Sequence, residues 1–398
     1  MHITNMLIER TLYKQIKTHV ESKEAIIISG MRRVGKTSLL RYILEAIPSS
    51  NKLFLDLENP LNRRYFEEEN YERIKGSLET LGLDLGKKAY LFLDEIQYVR
   101  NLPGAIKYLM DHYDLKCFLT GSANFYLKNF FTESLAGRKY LFELFPLDFE
   151  EFLRFKKSPL RLSAERVRSD KRLWETFSVL CDEYCRWGGF PGVVLKTDPD
   201  EKKRSLDDIF TSYYQAEVLA LGDFRKNEVV RDLMLLLMQR AGSKLDVSKL
   251  ASELGISRIT LTEYLAFLEG TYFIHLVRPF SRNRDAEIRK TPKIYICDSG
   301  LLNQLARVSE GALFENSVFQ ILRGRGELNY FQKKSGVEID FILNKKTAYE
   351  VKLSAGPGEM KYLKNIANEL EILDYALVCK KWPRGLTEYE KIRFVFDV

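Results

Sequence analysis

Gly30-Met31-Arg32-Arg33-Val34-Gly35-Lys36-Thr37, followed by Ser38, is the stretch of this 398-residue chain whose reading decides the fold. Glycines at both ends of such a loop let successive backbone N–H groups turn inward around phosphate oxygens. The lysine after the second glycine reaches the terminal phosphates, and the next hydroxyl ligates magnesium. The flanks agree with this. Ala25-Ile26-Ile27-Ile28-Ser29 reads as a short buried strand entering the loop, and Leu39, Leu40, Ile43, Leu44 and Ile47 recur with helical spacing before Pro48. Gly30, Arg32, Arg33, Val34, Gly35, Lys36, Thr37 and Ser38 are therefore the expected binding set for a nucleoside triphosphate, with Mg2+ on Thr37.

Working outward, short apolar runs alternate with amphipathic ones from Ala25 to about Leu144. Leu53–Leu57, Tyr90–Leu93, Cys117–Leu119 and Tyr140–Leu144 read as strands of an α/β domain with a mainly parallel sheet. The run Tyr90-Leu91-Phe92-Leu93 ends in Asp94-Glu95, where the first acid can hold the magnesium shell and the second can polarise a water for in-line attack. The plain alternative is a strand that ends in acidic turn residues. Cys117-Phe118-Leu119-Thr120-Gly121-Ser122 is a further strand; Thr120, or else Ser122, could orient the attacking water. Arg138 precedes the last strand and either reaches a neighbouring subunit's γ-phosphate or makes a surface salt bridge.

The length suggests two to four domains, and 45% hydrophobic residues with 12% aromatics suit packed cores. A net charge of +7 fits a polyanionic partner without requiring one. Five cysteines with no metal-type spacing point to reduced, buried thiols and a cytoplasmic setting, Cys181 and Cys185 reading as small side chains of one apolar helix. No apolar run is long enough to cross a bilayer, the start lacks the layout of a secretion signal, and Leu233–Met238 reads as a buried helix.

Past Pro146 the text turns helical to about Arg225, with a break at Gly188-Gly189-Phe190-Pro191-Gly192. Between Lys244 and Phe280 the order is helix (Asp246–Leu254), turn (Gly255-Ile256-Ser257), helix (Arg258–Glu269) and strand (Tyr272–Val277), a helix-turn-helix with a wing. Its second helix exposes Arg258, Thr260, Thr262 and Glu263, with Tyr264 at the margin of that face and one basic residue among them, so DNA contact and a purely packing role both stay open. After a linker at Arg282-Asn283-Arg284, a last α/β unit runs from about Pro292 to the end. There Gly336–Leu343 and Ala348–Leu353 read as strands of a hairpin. Pairing Leu343 with Thr347 sets Asp340 opposite Glu350, with Lys352 on the same face and Glu315 available from a helix. Such carboxylates can hold magnesium against a phosphate while the lysine, not itself a ligand, stabilises negative charge; a cross-strand charge cluster is the plain alternative.

The loop, the Asp94-Glu95 pair, Thr120, and Ser134-Leu135-Ala136-Gly137-Arg138 leading to Phe142-Glu143-Leu144-Phe145-Pro146-Leu147 resemble the AAA-type P-loop ATPases of bacteria and archaea. The similarity continues through Gly188-Gly189-Phe190-Pro191, Leu250–Ser257 and Pro292–Leu301, as in the branch whose C-terminal half is a domain of unassigned function. The resemblance implies ATP as the nucleotide, strand order 5-1-4-3-2, a helical lid and a winged helix. It also implies an adenine contact for Pro191, against a simple helix break, and either a phosphate contact or a bracing role for Arg32. Glu315, Asp340, Glu350 and Lys352 resemble the core of the restriction-endonuclease-like, PD-(D/E)XK fold, which is used both to cut and to grip nucleic acid. The expected organisation is an ATPase core at 1–145, a helical lid and linker at 146–225, a winged helix at 226–282 and a nuclease-like domain at 283–398. The expected activity is ATP hydrolysis coupled to a DNA-directed module, with Arg138 requiring a homo-oligomer if it acts in trans. The alternatives are an ATP-gated metal-dependent nuclease and a slow switch acting through protein partners.

Overall fold

The computed structural model describes residues 7–122, 135, 137–159, 170–220, 222, 224, 227–281, 290–333, 335–383, 385 and 389–398. Ser134, Ala136, Arg225 and the linker Arg282-Asn283-Arg284 lie outside the described residues, as does most of the amphipathic stretch before Leu135. The chain divides into two compact units, Met1–Phe145 with Gly270–Tyr272, and Pro146–Glu269 with Phe273–Val398.

The first unit is built on strands β1 (Ala25–Ser29), β2 (Lys52–Asp56), β3 (Ala89–Asp94), β4 (Leu115–Gly121) and β5 (Lys139–Glu143). All neighbours are parallel, in the order β2-β3-β4-β1-β5, which is the expected 5-1-4-3-2 read from the other edge. The three central strands are buried along their whole length, as their unbroken apolar runs require of a sheet covered on both faces. Helices α1 (Lys36–Ala46), α2 (Tyr71–Thr80) and α3 (Leu102–His112) follow β1, β2 and β3. Ile74 and Leu78 of α2 and Ile106 and Leu109 of α3 join Ile27, Leu91, Leu93 and Leu119 in one core. Because the strands run parallel, their C-terminal ends share one edge. The register Ile28↔Thr120 and Leu93↔Leu119 brings the end of β1, Asp94 and Thr120 to that edge. Arg138 stands at the other edge, where the Ala25 N–H donates to its carbonyl at 2.9 Å.

The second unit opens with helices α4 (Phe149–Phe155), α5 (Lys171–Trp187), α6 (Pro191–Val194), α7 (Pro199–Tyr213) and α8 (Asn227–Gln239). Leu233, Met234, Leu237 and Met238 of α8 are buried, as expected, and so are Cys181 and Cys185 of α5. No described helix is long and apolar enough to cross a membrane. The helix-turn-helix forms from α9 (Val247–Glu253), whose N-terminus is capped by the Asp246 side chain, and α10 (Arg258–Gly270). Gly255 in the turn has φ +63, a conformation glycine takes without the Cβ clash.

Strand β6 (Ile274–Pro279) starts two residues later than the sequence suggests. Tyr272 has φ +66, and the Phe273 N–H turns back to the Leu268 carbonyl, so the chain bends before it can extend. Strands β7 (Lys293–Ile296), β8 (Leu328–Gln332), β9 (Glu338–Leu343), β10 (Thr347–Lys352), β11 (Asp374–Cys379) and β12 (Ile392–Arg393) complete a seven-stranded mixed sheet in the order β12-β11-β10-β9-β8-β6-β7. Strand β6 pairs with both β7 and β8, so the strand that follows α10 and the segment after it share this sheet. Helices α11 (Ser299–Leu305), α12 (Glu310–Leu322) and α13 (Pro357–Glu369) accompany it.

Two motifs that lie far apart in sequence meet inside this unit. Helix α5 ends at Gly188, and the Gly189 N–H donates to Asp298 Oδ2 at 2.7 Å. Asp298 Oδ1 accepts from the Leu301 N–H at 3.0 Å, capping α11. A Cβ on Gly300 would lie 2.1 Å from the Trp187 carbonyl oxygen. Gly188-Gly189-Phe190-Pro191 and Cys297-Asp298-Ser299-Gly300-Leu301 are thus two sides of one buried joint.

Candidate functional site

The phosphate loop leaves β1 at Gly30, where a Cβ would sit 2.2 Å from the Leu144 carbonyl oxygen, so only glycine fits. Gly35, at φ +98, turns the chain into α1. Lys36 is buried, and its ammonium donates to the Gly30 and Met31 carbonyls at 2.9 and 3.1 Å while facing Glu95 Oε1 at 3.9 Å. Arg33 (φ +68) and Ser38 are exposed, and Val34 is buried. Arg32 donates to the Tyr98 hydroxyl at 2.7 Å and lies 3.7 Å from Glu58, the contacts of a bracing residue.

Opposite the loop, the Thr37 hydroxyl stands beside the Asp94 carboxylate, which accepts from the Thr120 hydroxyl. Burial pushes the Asp94 carboxyl above the ordinary aspartate value, and the two hydroxyls pull it back. A hydroxyl beside a buried carboxylate is an oxygen donor set that fits magnesium, so Thr37 and Asp94 would hold it. Glu95 has φ +55, an uncommon conformation for a residue with a side chain, and its N–H donates to Thr120 Oγ1 at 3.2 Å. Thr120 thus touches both acids.

Three residues at this site carry no sequence signal of their own. Gln97 uses one amide nitrogen to hold Glu95 Oε2 and Ser122 Oγ together, and its Oε1 is buried with no hydrogen-bond partner among the described residues. Arg10, also buried, donates to the Val34 carbonyl at 2.7 Å and the Phe145 carbonyl at 2.8 Å, tying the loop to the end of β5. The Tyr272 hydroxyl, in the short segment that belongs to the first unit, meets Ser29 Oγ at 2.6 Å and Glu143 at 3.0 Å. Gln97 follows the acid pair by two residues, a spacing that predicts no role by itself. Arg10 acts through backbone carbonyls, and Tyr272 stands 243 residues from its partner.

Arg138 is exposed and ion-paired with Asp111, on the sheet edge away from the phosphate loop of its own chain. Pro191 occupies the first position of α6 in the second unit.

The second carboxylate group lies wholly in the second unit. The hairpin pairs Leu343 with Thr347, the expected register, through Asn344 and Lys345 at positive φ. Asp340 Oδ2 accepts from the Val351 N–H at 2.9 Å, and Glu350 Oε1 accepts from Lys352 at 2.6 Å. Asp340, Glu350 and Lys352 come together with Glu338, Glu359 and Tyr362 around a cavity of about 470 Å³. Burial, then the neighbouring Asp340 carboxylate, raises the pKa of Glu350, and its Oε2 is buried without a partner among the described residues.

Glu315 does not line that cavity. It accepts from the Tyr295 hydroxyl at 2.6 Å and lies 3.5 Å from Lys293 Nζ. Lys293 also pairs with Glu338 and stands 3.4 Å from Asp340 Oδ1. As arranged, these residues do not fit a metal ion shared by Glu315, Asp340 and Glu350, because an ammonium fills the space between the first two. Among the described residues no group of three or more His, Cys, Asp or Glu side chains is disposed to hold a metal.

Comparison with known proteins matches residues 22–153 to a family described as an AAA domain and residues 179–312 to a domain of unknown function (DUF8612). An uncharacterised protein of Haemophilus influenzae is 28% identical over 86% of this chain and 85% of its own length. One from Methanocaldococcus jannaschii is 26% identical over 84% of this chain and 75% of its own. Among solved structures, the Walker-type ATPase of Pyrococcus abyssi aligns with a TM-score of 0.43 at 19% identity, over 73% of this chain and 93% of that one. The Aeropyrum pernix ORC1 protein in complex with DNA aligns with a TM-score of 0.36 at 14% identity, over 78% of this chain and 94% of that one. The first unit therefore carries an AAA-type domain on a five-stranded parallel sheet.

Proposed function

We propose that the chain is a magnesium-dependent ATPase whose nucleotide cycle controls a DNA-directed second unit. The observation that carries the ATPase reading is the meeting of Lys36, Thr37, Asp94, Glu95 and Thr120 at one edge of the sheet. Magnesium, when bound, would neutralise the charge that develops on the phosphates. Lys36 binds the terminal phosphates, Thr37 and Asp94 hold the ion's shell, and Glu95 takes the proton of the attacking water. Thr120, hydrogen-bonded to both acids, registers the γ-phosphate. Lys36→Ala is expected to abolish nucleotide binding, whereas Glu95→Gln should bind ATP and turn it over at least about a hundredfold more slowly. Full turnover by Glu95→Gln would remove that residue from the mechanism.

The DNA-directed role rests on the net charge of +7, the helix-turn-helix and the likeness of the Asp340-Glu350-Lys352 hairpin to nuclease cores. The partnered carboxylates favour gripping over cutting. ATPase rate and plasmid nicking are measured together, with and without DNA. DNA-stimulated hydrolysis without nicking is expected. Nicking that disappears in an Asp340→Ala/Glu350→Ala variant would instead establish an ATP-gated nuclease, and indifference to DNA would favour a switch acting on protein partners.

A further inference from the structure

We infer that Lys293 is a built-in cation standing where a divalent metal ion would stand among Glu315, Glu338 and Asp340, so that this cage accepts a metal only once the lysine's charge is removed. The three acids come from α12 and β9, and Lys293 reaches them from β7. Its Nζ lies 3.5 Å from Glu315 Oε1 and 3.4 Å from Asp340 Oδ1, and it makes a closer ion pair with Glu338 Oε1. An ammonium has three N–H donors, one for each carboxylate. The Lys293 side chain is 6% exposed, so the three carboxylates gathered around it have an internal positive charge at their centre, with Lys352 acting on Asp340 and Glu315 from farther off. The Tyr330 ring, 5.6 Å from Nζ, closes a further side.

Two of the acids have their outer oxygens engaged: Asp340 Oδ2 accepts from the Val351 N–H at 2.9 Å and Glu338 Oε2 from Gln332 at 2.9 Å, which turns Asp340 Oδ1 and Glu338 Oε1 toward the ammonium. The Tyr295 hydroxyl donates at 2.6 Å to Glu315 Oε1, the oxygen that faces Lys293, and so fixes that oxygen directly. Three carboxylate oxygens around a point are what magnesium or manganese would take as ligands, and here the point is held by nitrogen. Glu350 has its own cation, Lys352, and adjoins the cage through Asp340. Burial opposes a charge on Lys293, but Glu315, Asp340 and Glu338 outweigh it and raise the lysine's pKa.

This goes beyond the proposed DNA-directed role and is tested without DNA or nucleotide, on the full chain, so either can fail alone. Mn2+ bound per chain is counted from the electron paramagnetic resonance signal of the free ion, and the thermal midpoint is followed in EDTA and in Mn2+. Lys293→Met is expected to bind one more Mn2+ than the unaltered chain. Its midpoint should be lowered in EDTA and restored by Mn2+, or its folding should depend on Mn2+ altogether. Lys293→Arg should keep the unaltered count, and Lys293→Met/Asp340→Asn should lose the added ion. The inference is overturned if Lys293→Met gains no ion, or stays unfolded in Mn2+ as well. It is equally overturned if the unaltered chain binds an Mn2+ that Asp340→Asn removes.

Discussion

Gln97 is the residue where the structure adds most to the ATP site. One amide nitrogen joins the carboxylate that would accept a proton to the hydroxyl of Ser122, while the carbonyl end is left buried and without a partner among the described residues. A buried acceptor with no donor costs roughly 1–3 kcal/mol, a cost a water beside Glu95 would remove. Gln97 is thus a positioning residue for Glu95 and its water. Gln97→Leu should lower kcat by about tenfold or more with KM for ATP nearly unchanged, because no phosphate contact is lost. Gln97→Asn, with a shorter reach, should recover part of the rate. An equal rise in KM would show instead that the nucleotide pocket had been disturbed. The contrast with Lys36, Thr37 and Asp94 shows what the sequence could reveal. Those residues sit at fixed offsets in a loop or at the end of a strand, so spacing alone identifies them. Gln97, Arg10 and Tyr272 act through amide, carbonyl and hydroxyl contacts made only once strands are in register. Lys293 lay inside a quoted motif, but its charge has meaning only when α12, β7 and β9 converge.

Among the elements, the strands of the first sheet were legible because each is a short apolar run ended by turn or polar residues. The start of β6 was not, since Tyr272 looks like a strand residue until its positive φ is known. The glycine-rich break and the Asp298 motif could be seen separately, but not as one joint. Gly300→Ala tests the joint: its Cβ would meet backbone atoms of Trp187 and Gly188, which cannot move aside as a side chain can. A loss of about 2–4 kcal/mol is expected, read as a lower midpoint in denaturant, with ATP affinity retained. Unchanged stability would mean that α5 and α11 are held by other contacts. Strand β6 gives a second reading. Burial, with a contribution from Arg323, lowers His275 to about 4, and its ring packs 5.3 Å from Phe319. The neutral ring is favoured in the folded chain, so stability is full above the ordinary histidine range and falls as pH drops from about 6.5 to about 4, by up to about 3 kcal/mol. His275→Phe should flatten that part of the stability–pH curve; an unaltered slope would assign the acid sensitivity to other groups.

On the scale of the whole molecule, the placement of Arg138 bears on assembly. Within one chain the phosphate loop follows the C-terminal end of β1, whereas Arg138 lies beside Ala25 at its N-terminal end, with Asp111 as its partner. Five residues of extended strand separate the two, about 16 Å, more than an arginine spans in reaching a phosphate. If Arg138 takes part in hydrolysis, it must therefore serve another copy's nucleotide. Contacts of that kind are head-to-tail, and they close into rings or continue as filaments. Arg138→Ala should then reduce hydrolysis by up to about 10³-fold while leaving nucleotide binding intact, and Lys36→Ala should be inactive for the opposite reason. Mixed in equal amounts, the two variants rebuild a working site wherever a chain with Lys36 precedes one with Arg138. Random assembly places them so at about one site in four, whatever the ring size, so the mixture should recover about a quarter of the unaltered rate. No recovery, with subunit exchange demonstrated by light scattering or fluorescence transfer, would reduce Arg138 to the surface partner of Asp111 and leave a single chain sufficient for the chemistry.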